Sequence, residues 1–197
     1  MNLFGNSLRN LGVCVAVFCC ATTGGYAQVW TQGNSSVTLN PAVESYSGTS
    51  MHLARSASGT GSLTIEQGGA LTLSSYLYVA SASGTSATVS VTGGTLSARR
   101  AIIGCSGSGA LEISGGTVTL ASLSIGYSAG SSGTVSVTGG SLRAGPVYVG
   151  NSATGSLDIS GGTVVFTSPV YVGYGSESTG TMSLSGVALN ASAAYIG

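Results

Sequence analysis

The sequence predicts an all-β protein: a right-handed parallel β-helix (solenoid) of about seven coils, each of three short strands, preceded by a signal peptide. Three observations predict it. A glycine-paired segment recurs every 22 to 26 residues, apolar and polar residues alternate in runs of three or four, and charged residues are held to 5% of a 197-residue chain.

The repeat is read by aligning the glycine pairs. The copies are "GSLTIEQGGALTLSSYLYVA" from Gly61, "ATVSVTGGTLSARRAIIG" from Ala87, "GALEISGGTVTLASLSIG" from Gly109, "GTVSVTGGSLRAGPVYVG" from Gly133, "GSLDISGGTVVFTSPVYVG" from Gly155 and "GTMSLSGVALNASAAYIG" from Gly180. Corresponding apolar positions Leu63, Val89, Leu111, Val135, Leu157 and Met182 fall 26, 22, 24, 22 and 25 residues apart. A weaker copy precedes them, with "SVTL" at Ser36–Leu39 and "MHLA" at Met51–Ala54.

Each copy holds three alternating runs. In the copy from Gly155 these are Leu157-Asp158-Ile159, Val164-Val165-Phe166 and Val170-Tyr171-Val172. Period two in runs this short means strands, and no segment carries a useful 3.6-residue pattern. Three strands and three turns per copy suit one triangular coil, stacked on the last at about 4.8 Å.

The glycine pairs then have a physical task. Gly68-Gly69, Gly93-Gly94, Gly115-Gly116, Gly139-Gly140 and Gly161-Gly162 are predicted to be corners, where the chain needs positive φ and room for the backbone of the next coil. Val187 replaces the second glycine in the copy from Gly180 and predicts a distorted corner there.

Stacking also explains the composition. Like charges in one column would sit about 4.8 Å apart and repel, whereas Ser and Thr columns avoid that cost. Five arginines, five acids and no lysine cannot form a basic surface, so nucleic acid is not expected as a partner.

Residues 1–27 read as an export signal: Arg9 in "MNLFGNSLRN", the apolar run Leu11–Ala21, and small residues Gly25 and Ala27 before the expected cleavage point. Residues 28–60 are then an N-terminal cap with the first degenerate coil, and 61–197 the repeats. Removal of the signal leaves Cys105 as the remaining cysteine, which excludes an internal disulfide and favours a buried thiol.

Candidate sites are few. Glu112 and Asp158 share one outward position with Ser136 between them, so they stand about 10 Å apart, outside both carboxylate separations used in glycoside hydrolysis. Hydroxyl residues fill the rest of that column, which favours a solvated face over a catalytic pair. His52 is the single histidine, at an outward position of the first coil, and is expected to be exposed. Arg99-Arg100 are expected at a solvated turn. No metal site, cofactor or catalytic residue is predicted.

The outward position of the third run is different. It holds His52, Tyr78, Ile102, Ser124, Tyr148, Tyr171 and Tyr195, so the last three copies predict a ladder of tyrosines. Internal stacking is the preferred reading of Tyr148, Tyr171 and Tyr195, ahead of a surface contact strip; Tyr127 and Tyr174 could extend it from the adjoining corner.

The pattern G-x-L-x-[IV]-x-G-G-x-L-x(4–7)-[VLA]-x-[VI]-G resembles the repeat shared by type V secretion autotransporter passengers and PEP-CTERM-sorted bacterial surface proteins. The resemblance runs from about Ser36 to Gly197 and brings no catalytic residues with it. It implies a non-enzymatic exported rod, the passenger or stalk of an adhesin-like protein at the cell surface or outer membrane, used for adhesion or spacing. It further implies a membrane β-barrel or sorting tail outside this chain, and contact with a surface glycan or protein. The last copy stops at "AAYIG" in mid-coil, so truncation and end-to-end self-association are expected. A fragment of a polysaccharide-active β-helix enzyme, or a glycan-binding module, is the alternative.

Overall fold

The computed structural model describes residues 17–21, 27–31, 35–39, 45–55 and 59–197. The expected signal segment and cap therefore lie largely outside the described residues. Among those described there is no helix.

The chain is a parallel β-solenoid. Seven strands form one sheet: Ser35–Leu39, Thr60–Ile65, Ser86–Val91, Ser108–Ile113, Ser132–Val137, Thr154–Ile159 and Thr179–Leu184. These strands open coils 1 to 7, and the stack makes about six complete turns. Every neighbouring pair in this sheet is parallel, and Val37, Leu63, Val89, Leu111, Val135, Leu157 and Met182 lie in one unbroken register. The predicted equivalence of the repeats thus becomes a physical column.

The opposite sheet contains the second and third runs of each coil. In coils 2, 3 and 4 these runs are not separate strands. They join as Ala70–Val79, Thr95–Ile103 and Thr117–Ile125. In coils 5 and 6 they divide into Ser141–Ala144 with Val147–Val149, and Thr163–Phe166 with Val170–Val172. Pro146 and Pro169 sit at those breaks, where a ring without an N–H ends the ladder.

The uneven repeat length has local causes. The step from coil-closing glycine to the next strand's glycine is short at Gly104–Gly109 and Gly150–Gly155, and two residues longer at Gly126–Gly133 and Gly173–Gly180. The longer loops fold into turns, closed by Ser131 N–H on Ser128 O (2.9 Å) and Ser178 N–H on Gly175 O (3.0 Å). Coil 2 carries a bulge between Leu73 and Tyr76, whose N–H is taken by Ser50 Oγ at 3.2 Å.

Of the predicted corners, Gly116, Gly140 and Gly162 take positive φ at the second glycine and Gly68 at the first, whereas Gly93-Gly94 turns without positive φ and needs glycine only because a Cβ on either would collide with the backbone of the coil before. Gly116 has φ 68°, and a Cβ there would collide with the Gly93 carbonyl; a Cβ on Gly115 would collide with that of Thr92. In the final coil Val187 occupies the position of the second glycine, and the positive φ moves to Gly186 at 68°. The distorted corner expected there is this shift.

Inward residues of both sheets form one apolar core, from Leu39 and Leu53 through Leu63, Leu111 and Leu157 to Phe166 and Val172. Burying each Leu, Val or Ile contributes about 1.5–3 kcal/mol. Coil 7 has nothing stacked on its outer side: Leu184 and Ile196 are 46% and 84% exposed.

Candidate functional site

The two faces present different chemistry. On the seven-stranded sheet, Thr38, Thr64, Ser90, Glu112, Ser136, Asp158 and Ser183 stand in one register column. Glu112 and Asp158 are two rungs apart, as the sequence predicted. Hydroxyls hold each of them: Ser90 Oγ donates to Glu112 Oε2 and Ser156 Oγ to Asp158 Oδ2, both at 3.1 Å. Two rungs correspond to about 9.6 Å along the column, slightly beyond the separations of about 5 and 6.5–9.5 Å used in glycoside hydrolysis. Among the described residues no group of three His, Cys, Asp or Glu side chains could hold a metal ion. A shallow open depression over the first glycine corners is lined by Gln67, Thr92, Thr95 and glycines, none of them a proton donor or acceptor for catalysis near neutral pH.

The aromatic side chains gather on the other sheet. Register runs through His52, Tyr78, Ile102, Ser124, Tyr148, Tyr171 and Tyr195, and places Trp30 one rung before His52. Tyr148 stacks on Tyr171 (5.0 Å, 9°) and Tyr171 on Tyr195 (5.2 Å, 13°). Tyr174 closes edge-on over Tyr148 and Tyr171, at 5.0 and 5.4 Å. A second stack pairs His52 with Tyr78 at 4.3 Å, with Tyr76 against Tyr78 at 5.3 Å. Seven of nine tyrosines lie here, counting Tyr127.

Stacking decides what the ladder can offer. Both faces of the Tyr171 ring are taken by its neighbours, so it shows edges to solvent. Tyr174 and Tyr195, 59% and 55% exposed, stand furthest out. The three-tyrosine ladder is thus first a cross-rung brace.

Between the stacks, at Ile102 and Ser124, the column has no aromatic and both residues are buried. Arg100 covers them. It lies within a strand, paired with Tyr76 and Ser122, whereas Arg99 beside it is exposed and skipped by both ladders, so the solvated turn suggested for Arg99-Arg100 describes Arg99 and not Arg100. Its Nη2 donates to Ser124 Oγ at 3.1 Å, and its guanidinium carbon lies 5.3 Å from the Tyr127 ring centre. Its Nε is buried without a hydrogen-bond partner. The sequence signal that could have found this is the pair of small or aliphatic residues interrupting an aromatic column beside an arginine.

His52 differs from the expected exposed ring. It is half-buried, Nδ1 lies 3.0 Å from Ser81 Oγ, and burial, then the charge of Arg55, bring its pKa to about 4. Burial, then Tyr76, also hold the Tyr78 phenol above its usual pKa. Cys105 is free and half-buried, and burial raises its thiol pKa, which keeps it protonated near neutral pH.

The fold and this face define the class: a β-solenoid with an arginine-interrupted aromatic strip on one side and hydroxyl columns on the other. Comparison with protein-family models, curated proteins and solved structures finds no match to this chain.

Proposed function

We propose that the protein is a non-enzymatic exported surface rod, the passenger or stalk segment of an autotransporter-like or sorted bacterial surface protein, serving adhesion or spacing. The observation that carries this reading is the unbroken seven-rung register whose outward column is filled with hydroxyls around two isolated carboxylates. A rod needs length and an inert side, and a solenoid supplies length in proportion to coil number. The export-like segment 1–27 and the repeat resemblance support the location.

Cells producing the full chain test it by fractionation, protease treatment of intact cells and N-terminal sequencing of the mature chain. Surface-accessible protein beginning at Gln28 is expected. A chain that stays in the cytoplasm with residues 1–27 attached overturns the proposal. The enzyme reading is tested with a panel of polysaccharides: cleavage by the wild type that disappears in the Glu112→Ala/Asp158→Ala variant would replace the rod reading with a hydrolase or lyase.

A further inference from the structure

Resting on the surface-rod reading, we propose that the face around Arg100 is a binding site for a carboxylate-bearing polysaccharide, a chain of uronic acid residues. The net charge of zero hides a segregation. Described strands of the aromatic-bearing sheet contain Arg99, Arg100 and Arg143 with no Asp or Glu, while those of the opposite sheet contain Glu112 and Asp158 with no arginine.

Arg100 is the focus because its surroundings fix it without neutralising it. Ser124 and Tyr127 hold the guanidinium, Nε is buried and unbonded, and no carboxylate pairs with it among the described residues. A cation partly withdrawn from water and lacking a counter-ion gains more from an arriving anion than an exposed one does. A planar guanidinium takes a carboxylate through two parallel N–H donors; with Nε buried and one Nη2 proton on Ser124, these are the protons of Nη1 and the second proton of Nη2. Tyr76, in register with Arg100 one coil before, is 36% exposed and adds an amphipathic edge suited to a sugar.

Other anions fit less well. A polynucleotide needs several cations along a backbone, and three arginines, two in coil 3 and one in coil 5, do not supply them. A second copy offers Glu66, Glu112, Asp158 and Glu177 among the described residues, single carboxylates in different coils, of which Glu112 and Asp158 already accept serine hydroxyls, so it presents no row of carboxylates.

The test is titration of the purified full chain with a hexamer of galacturonic acid and with its methyl ester, followed by calorimetry and by the ring resonances of the tyrosines. The acid hexamer is expected to bind and to shift Tyr127; the neutral ester and the Arg100→Gln variant are expected to bind at least tenfold more weakly, and Arg143→Gln within twofold of wild type. Thermal melting establishes that Arg100→Gln is folded, and Arg100→Lys, which keeps charge and bulk, is expected to bind several-fold more weakly if it is not. Absence of binding, equal binding of the ester, equal loss in Arg143→Gln, undiminished binding by Arg100→Lys, or a dimer that Arg100→Gln abolishes would each overturn the site. Such failure is distinguishable from failure of the rod reading, because location is read on cells and binding on purified chain.

Discussion

Gly116 and Gly84 separate two reasons for glycine in this chain. Both have positive φ, 68° and 73°, but a Cβ on Gly116 collides with the Gly93 carbonyl whereas Gly84 has open space around it. Gly84→Ala is therefore expected to cost about 1–2 kcal/mol, the left-handed penalty alone. Gly116→Ala adds displacement of a stacked backbone and is expected to cost well beyond that, read as the shift in urea midpoint; equal losses would refute the corner-stacking account. At His52 the relevant quantity is a proton. Its folded pKa of about 4 lies below the unfolded value of about 6.5, so its contribution is complete above pH 6.5 and is lost as pH falls toward 4. Solvent reaches part of the ring, so the expected loss is about 1 kcal/mol, not the full linkage value. Wild type and His52→Phe should differ in melting temperature less at pH 4 than at pH 7, by roughly 2–4 °C. A gap independent of pH would contradict this. Alternation set the outward direction of His52 and repeat spacing put Tyr78 beside it in the column, but the Ser81 hydroxyl comes from the turn that closes the next coil and had no such marker.

Among elements, the first run of each coil was the most legible. Leu111 and Glu112 are adjacent, one fully buried and one exposed. Leu111→Ala is expected to cost about 2–5 kcal/mol and Glu112→Ala within about 0.5 kcal/mol, measured by denaturant unfolding. Comparable losses would mean that the alternation had been assigned to the wrong faces. The joining of second and third runs was not legible. Period two marks strands but not bends, and only Pro146 and Pro169 announce a break, so "TLSARRAII" read as two strands and a turn when it is one. The same misreading put Arg100 in solvent. The tyrosine ladder was legible because spacing alone brings Tyr148, Tyr171 and Tyr195 into one column; the edge-on Tyr174 depends on loop geometry. Tyr171→Ser removes two stacking contacts and Tyr195→Ser one, so the former is expected to lower the melting temperature more. The reverse order would remove the ladder as a brace.

At the scale of the molecule, each coil touches chiefly the coils on either side, and stability is a sum over coils and their interfaces. Repetition made this architecture readable from one sequence, while the contacts of Arg100 with Ser124 and Tyr127 of the next coil were marked only by the interruption of the aromatic column at Ile102 and Ser124. The central claim is vertical alignment of the coils. It is tested most directly by pulsed electron–electron distance measurement between spin labels at outward cysteines, with the four native cysteines, Cys14, Cys19, Cys20 and Cys105, replaced by Ser. Labels at Thr64→Cys and Ser136→Cys are three rungs apart, and those at Thr64→Cys and Ser183→Cys five, on the same column. The account predicts separations near 14 and 24 Å, widened only by the label arms and growing by about 4.8 Å per coil. Distances that do not increase with coil number would contradict it.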